Sequence, residues 1–198
     1  MTYDSLLGPW QSYSGRELIE ILESDMNLIG NVPSSPGVYM WKLHPGAGDL
    51  SYSRPSEIIN RLNKITTASQ GRIEGINNHS LRSEVAIAGN GLRSKETLLT
   101  EMVHNKETAK WMIFMLESLS VHLPSMYVGQ SSNLANRLAE HLRGSSDFSS
   151  RLTSEGAYAF DDLNVYILEM ENSSKEMREA LEHVLSIVTI AGFSRRVG

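Results

Sequence analysis

A strand followed directly by a helix is predicted in residues 126–144, MYVGQSSNLANRLAEHLRG, and this pattern constrains the fold more than any other. The stretch begins as a short apolar run ending in glycine, and a serine pair separates this run from a helical pattern. Leucine recurs at every fourth position of that pattern, at Leu134, Leu138 and Leu142. This spacing predicts a buried helical stripe, with Ser131 or Ser132 as the N-cap and Gly144 as the stop.

Two polar side chains share a different face of this predicted helix. Arg137 and His141 are four residues apart, which brings them together on one side of a helix. Tyr127 lies in the preceding strand. A guanidinium offers a planar fork to two oxygens of a phosphate group. The three side chains therefore predict a phosphate-binding site beside the end of the strand.

Composition limits the chemistry that this chain can use. The 198 residues include no cysteine, which excludes disulfides, thiolate metal sites and cysteine nucleophiles. Any metal must then be held by oxygen or imidazole. No apolar run reaches the roughly 18 residues that cross a bilayer, and the N-terminus does not resemble a signal peptide. We therefore expect a cytoplasmic protein with one main core and no membrane partner.

The remaining pattern alternates strands and helices. We predict a helix over residues 15–24 and a strand over 37–43, and the insertion discussed below contains a further helical pattern in SRPSEIINRLNKI. LNVYILEM predicts another strand. A final helix follows, with Ser173 and Glu176 as its capping box. Periodicity alone leaves open whether WMIFML is a helix or a strand.

Three segments together resemble a known family. PGVY at residues 36–39, YVGQSSNLANRLAEHL at 127–142, and a later strand followed by the glutamate-bearing helix REALEHVLS occur in the order of the GIY-YIG nuclease signature. The resemblance implies an α/β (α+β) fold in which helices flank a small mixed sheet of three strands. It covers less than half of the chain.

The resemblance also implies a set of catalytic residues, namely Tyr39, Tyr127, Arg137, His141 and Glu182. One tyrosine of the pair would accept or relay the proton of the attacking water. Arg137 would offset the charge that develops on the phosphate, and Glu182 would bind one Mg²⁺ or Mn²⁺ ion. Which tyrosine acts as the base is left open, and Glu179 is the rival metal ligand.

A plainer interpretation exists for each of these residues. Tyr39 and Tyr127 have the character of ordinary strand tyrosines when each is taken alone. Arg137 and His141 have the character of a solvated pair on a helix surface. The order and spacing of the whole set favour the catalytic interpretation over the plainer one.

A long insertion separates the two halves of the motif. Residues 40–126 lie between Tyr39 and Tyr127, and such a loop is tolerated if it folds and its ends lie close together. We predict an N-terminal helical extension over 1–32 and a nuclease-like domain over 33–198, interrupted by a largely helical insertion at 44–122.

The insertion is also a candidate for binding a nucleic-acid backbone. The whole chain has a net charge of −5, yet residues 41–126 alone are net positive. The candidate contacts beside the motif and in the insertion are Gly129, Gln130, Ser131, Asn133, Arg61, Lys64, Arg93 and Lys95. A packing or dimerisation subdomain is the alternative.

These observations predict a metal-dependent endonuclease that hydrolyses DNA, of a compact restriction type. A repair or mobile-element nuclease is one alternative, RNA is left open as a substrate, and a homodimer is an option for cutting both strands. A second alternative is a catalytically impaired nucleic-acid-binding or regulatory protein. Its basis is the C-terminal segment IAGFSRRVG, which lacks an asparagine that the family often has there.

Overall fold

A computed structural model of the protein describes residues 10–25, 31–44, 95–119, 125–155 and 158–189. The chain divides into two compact units. One comprises residues 1–44 together with 124–198, and the other comprises 45–123. The two units are described separately below.

The first unit is built on an antiparallel sheet of four strands among the described residues. The strands are β1 (Gln11–Ser14), β2 (Gly37–Leu43), β3 (Ser125–Ser131) and β4 (Leu163–Glu169), in the spatial order β1-β4-β2-β3. The prediction of a mixed, three-stranded sheet was wrong in two respects. Every pairing is antiparallel, and β1 adds a fourth strand at the edge of β4. The short sequence QSYS of β1 lacks an apolar alternation, so the sequence pattern did not reveal it.

The described helices are α1 (Gly15–Asp25), α2 (Glu96–His104), α3 (Lys106–Leu119), α4 (Leu134–Leu142), α5 (Asp147–Glu155) and α6 (Lys175–Val188). A short 3₁₀ turn, Phe160–Asp162, precedes β4. None of these described helices has both the length and the hydrophobicity of a membrane span.

The second unit contributes α2 and α3 to the described residues, and the two helices contact each other. Val103, Ala109, Met112 and Ile113 are their buried residues. WMIFML belongs to α3, so this segment is a helix and not a strand. The helix predicted in SRPSEIINRLNKI lies outside the described residues.

Several predictions for the first unit are confirmed. The helix near residue 15, the strand over 37–43, the strand at β4 and the final helix all form. Gly144 follows the end of α4 with a φ of 78°, the left-handed conformation that glycine adopts at low cost.

The predicted helix caps were displaced along the chain. Ser131 ends β3, and Asn133 is the N-cap of α4 because its side chain accepts the backbone N–H of Asn136. Ser174 rather than Ser173 caps α6, where its hydroxyl accepts from the N–H of Met177.

Each face of the sheet is covered by different helices. Tyr39 and Trp41 project from β2 toward α4 and α5, where Leu138 and Phe148 are buried. The opposite face is covered by α6, whose partly buried leucines pack on a small cluster containing Val38. Leu134 and Leu138 are fully buried, whereas Leu142, the third leucine of the predicted stripe, is only partly buried.

The segment before β2 also fixes the start of α4. The carbonyl oxygens of Pro33 and Ser35 accept hydrogen bonds from the first N–H groups of the helix, those of Leu134 and Ala135. These N–H groups have no partner within the helix itself. The contacts therefore hold α4 in place relative to the strand that carries Tyr39.

We predict that Leu138→Ala lowers the free energy of unfolding by about 2 to 5 kcal/mol, since it opens a cavity between α4 and the sheet. Leu142→Ala, on the same helix and partly exposed, should cost clearly less. Urea unfolding of both variants and the wild type measures the difference. Equal losses would contradict the packing described for α4.

Candidate active site

The register of β2 and β3 brings the two motif tyrosines together. Tyr39 lies opposite Gly129, and Trp41 lies opposite Tyr127. A Cβ atom on Gly129 would collide with the hydroxyl and the ring of Tyr39. Glycine is therefore required at residue 129, because the Tyr39 side chain crosses the neighbouring strand there. The rings of Tyr39 and Tyr127 are 6.1 Å apart between centroids.

The Tyr39 hydroxyl is the centre of a buried hydrogen-bond cluster. The side chain is fully buried, and its Oη lies 2.7 Å from Nε2 of His141. Nε of Arg137 donates to the same oxygen over 3.3 Å. Arg137 also donates from a terminal nitrogen to Glu140, at 2.5 Å. Residues of β2 and α4 thus meet at a single hydroxyl.

His141 occupies an apolar, aromatic setting. It is fully buried among Tyr39, Trp41, Tyr127 and Phe148, at centroid distances of 5.5 to 6.4 Å. Its Nδ1 lies 2.6 Å from the hydroxyl of a buried serine that follows α4. The interpretation of His141 as a solvated surface residue is therefore wrong. The leucine stripe predicted the buried face of the helix, but it did not predict that His141 is buried as well.

Burial decides the charge state of His141. Loss of hydration and the nearby positive charge of Arg137 lower the pKa of the imidazole to about 3. His141 is therefore neutral near physiological pH. A neutral imidazole donates a hydrogen bond from one nitrogen and accepts one at the other.

Burial also acts on Tyr39. It raises the pKa of the phenol well above 10, and neighbouring Tyr127 adds to this effect. Arg137 lowers this pKa through its charge and its hydrogen bond, but by less than burial raises it. The charge of Arg137 thus favours the phenolate of Tyr39, but desolvation outweighs this effect. Tyr127 differs, being only partly buried and stacked on Phe148 at 4.6 Å.

Arg137 keeps its charge while remaining within reach of solvent. Burial alone would lower the pKa of its guanidinium, but contacts with Tyr39, Glu140 and Tyr127 raise it overall. About a third of its side chain is exposed, at 32%. Arg137 can therefore present a permanent cation to a ligand at the surface.

Glu182 lies on α6 and is half-buried. Burial and the neighbouring carboxylate of Glu179 raise its pKa, whereas the charge of Arg137 lowers it. A bound cation would relieve the cost of ionising such a carboxylate. In the described part of the chain no group of three histidine, aspartate or glutamate residues forms a cage for a metal ion. A single carboxylate still suits Mg²⁺, which commonly takes its other ligands from phosphate and water.

The predicted nucleic-acid contacts are spread over several positions. Gln130 accepts a hydrogen bond from the buried Arg178, and Ser131 exchanges two with the backbone of Asn133. Lys95 is exposed at the start of α2, in the second unit. Arg61, Lys64 and Arg93 lie outside the described residues, as does the C-terminal segment IAGFSRRVG.

The residues that support His141 from behind carry no signal in the sequence. Ser146, Phe148 and Ser149 lie at the start of α5 and are buried. The sequence SSDFSS around them is polar and has no helical periodicity of apolar residues, so nothing in it indicates burial. Only the path of the chain after Gly144 turns these side chains toward α4.

Part of the chain matches a known family. Residues 110–186 match the sequence profile of the GIY-YIG catalytic domain. The match includes Tyr127, Arg137, His141 and Glu182. It begins after β2, so Tyr39 lies outside the matched segment and is brought to Tyr127 by the pairing of β2 with β3. This segment is therefore similar to a GIY-YIG catalytic domain, which is the catalytic domain of an endonuclease. Comparisons with curated proteins and with solved structures found no significant match.

The pKa of His141 predicts a pH dependence of stability. The unfolded chain takes up this proton near pH 6.5 and the folded chain only near pH 3, so the unfolded state binds more protons between these values. The stability from His141 is thus complete above pH 6.5 and declines as the pH falls. We expect a loss of about 2 kcal/mol between about pH 6.5 and about pH 4.5.

Urea unfolding at both pH values measures this loss, and His141→Gln isolates it. The variant should lose about 2 kcal/mol less stability over this interval than the wild type. His183→Gln, at an exposed position on α6, is the control and should behave as the wild type. Parallel pH profiles for wild type and His141→Gln would contradict a neutral, buried His141.

Proposed function

We propose that this protein is a metal-dependent endonuclease that hydrolyses phosphodiester bonds of DNA, as a compact restriction-type enzyme. The observation that carries the proposal is the meeting of Tyr39, Arg137 and His141 at one hydroxyl, beside Tyr127, within a GIY-YIG catalytic domain. Tyr39 comes from a strand that is far in sequence from the adjoining strand and helix that carry the other three residues.

The proposed role of Arg137 is to bind the phosphate and offset its developing charge. Its guanidinium has five N–H donors, and the contacts with Tyr39 and Glu140 leave others for a ligand. Tyr39 and Glu140 fix the orientation of the planar group before substrate arrives. Such preorganised donors stabilise a transition state without a cost for reorganising them.

The proposed roles of the two tyrosines differ because their surroundings differ. The Tyr39 hydroxyl is enclosed and already joined to His141 and Arg137, which suits a residue that orients the guanidinium. Tyr127 is partly exposed and lies next to the same cation. We propose that Tyr127 contacts the attacking water and accepts its proton, with the positive charge of Arg137 favouring the phenolate.

Glu182 is the proposed ligand of one Mg²⁺ or Mn²⁺ ion. A divalent ion at this carboxylate would stabilise negative charge on the leaving 3′ oxygen. The position of Glu182 is suitable because its pKa also responds to Arg137, the proposed phosphate ligand. Glu179 is the weaker candidate, since it is exposed and forms an ion pair with Lys175 at 3.3 Å.

We further propose that residues 44–122 form a separate subdomain within a nuclease domain that spans residues 33–198. The net positive charge of residues 41–126 supports a role in binding the DNA backbone, with Lys95 on the surface of the described helices. A homodimer would place two active sites on opposite strands of a duplex.

We predict that Arg137→Ala and Glu182→Gln each slow the nicking of supercoiled plasmid with Mg²⁺ by at least about a hundredfold, because each removes charge stabilisation from the reaction. Matched controls are Arg143→Ala, just after α4, and Glu179→Gln, one turn before Glu182. Both controls should keep the wild-type rate.

The same assay distinguishes the alternatives. Nicking that persists in both Arg137→Ala and Glu182→Gln would refute the assigned site. Loss of nicking in Glu179→Gln but not in Glu182→Gln would move the metal to Glu179. A wild-type protein that binds DNA or RNA yet cleaves neither would instead be a nucleic-acid-binding protein of the same fold.

A further inference from the structure

Two buried serines form a chain of hydrogen bonds behind His141. The Oγ of Ser146 lies 2.6 Å from Nδ1 of His141 and 3.0 Å from the Oγ of Ser149. The two serines are only 6% and 2% exposed. Their hydroxyls therefore exchange hydrogen bonds within the protein and not with bulk water.

The hydrogen bond made by Ser149 determines the directions of the others. The Oγ of Ser149 lies 2.7 Å from the carbonyl oxygen of Ser146, which can only accept. Ser149 must therefore use its one hydroxyl hydrogen in that bond. Between the two hydroxyls Ser149 is then the acceptor, and Ser146 donates its own hydrogen to it.

This assignment determines the tautomer of His141. Since the hydroxyl hydrogen of Ser146 points to Ser149, the Ser146 oxygen must accept from the imidazole, which places the ring proton on Nδ1. The imidazole is neutral, so Nε2 carries a lone pair. The Tyr39 hydroxyl consequently donates to Nε2, over 2.7 Å.

The contact with Arg137 at the other end of the hydrogen-bond chain agrees with this assignment. A guanidinium only donates, so Arg137 Nε–H points to the Tyr39 oxygen. The Tyr39 hydrogen is then directed to another acceptor, and Nε2 of His141 lies 2.7 Å from the Tyr39 oxygen.

We infer that Ser146, supported by Ser149, is a positioning residue that fixes His141 as the Nδ1–H tautomer and thereby directs the Tyr39 hydroxyl. Its catalytic consequence rests on the nuclease function proposed above, whereas the tautomer itself does not. This chain of hydrogen bonds ends at the backbone carbonyl of Ser146, which cannot accept a transferred proton. It therefore orients the groups and does not conduct protons. Tyr39 in turn keeps its oxygen available to hold Arg137 in the orientation that binds phosphate.

The direct test is the tautomer of His141 in the full chain labelled with ¹⁵N-histidine. Two-bond ¹H–¹⁵N correlation spectra distinguish Nδ1–H from Nε2–H, and His141→Gln assigns the signal. We expect Nδ1–H in the wild type and a shift toward Nε2–H in Ser146→Ala. Ser150→Ala is the matched control, because the Ser150 hydroxyl contacts the Ser146 carbonyl and not the Ser146 hydroxyl.

Further variants separate positioning from folding. Ser146→Thr keeps a hydroxyl and should restore Nδ1–H, and Ser149→Ala should weaken the preference, which keeps the inference testable if Ser146→Ala does not fold. In single-turnover DNA cleavage at saturating DNA, Ser146→Ala should lower the rate at least about tenfold. Ser146→Thr should recover most of that rate.

The outcomes distinguish this inference from the proposed function. An Nε2–H tautomer in the wild type, or an unchanged tautomer in both Ser146→Ala and Ser149→Ala, would overturn the inference even if the protein cleaves DNA. A wild-type protein without nuclease activity that has the Nδ1–H tautomer, lost in Ser146→Ala, would support the inference and refute the function.

Discussion

The buried hydrogen bond between Tyr39 and His141 is the contact on which the arrangement of the site depends. It joins strand β2 to helix α4 across 102 residues of sequence, in surroundings that exclude water. A polar pair in such a place is costly unless every group finds a partner. The surrounding structure satisfies this demand, with Arg137 on one side of the pair and two serines on the other.

Several local features make this contact geometrically attainable. Glycine at residue 129 lets the tyrosine side chain cross the adjacent strand, and the carbonyls of Pro33 and Ser35 hold the first turn of α4. The aromatic rings around His141 then lower the local polarity and keep the imidazole neutral. The result is a site whose inner part is fixed and neutral, and whose outer part carries the charge of Arg137.

The sequence pattern predicted the elements that carry a strong periodic signal. Strand 37–43 and the leucine stripe of α4 were predictable because apolar side chains alternate or recur there. Edge strand β1 was not, since its sequence QSYS contains no apolar alternation. Asn133 is the N-cap of α4 because Ser131 is still part of β3, where it pairs with Gly37.

The site itself was only partly predictable for the same reason. The order of the motifs indicated five site residues, namely Tyr39, Tyr127, Arg137, His141 and Glu182. Spacing along a helix did not show that His141 is buried in the core. Burial of a polar side chain depends on what packs above it, here Phe148 and the serines of α5, whose sequence has no apolar period. The direction of each hydrogen bond follows only from the assembled chain of donors and acceptors.

Removal of one phenolic oxygen at a time tests whether the enclosed and the partly exposed tyrosine act in one cleavage site. The measurement is the single-turnover rate of DNA cleavage by Tyr39→Phe and by Tyr127→Phe, with thermal unfolding of each variant alongside. We expect both rates to fall by about a hundredfold or more. We also expect Tyr127→Phe to remain as stable as the wild type. Cleavage at the wild-type rate in both variants would contradict a shared cleavage site.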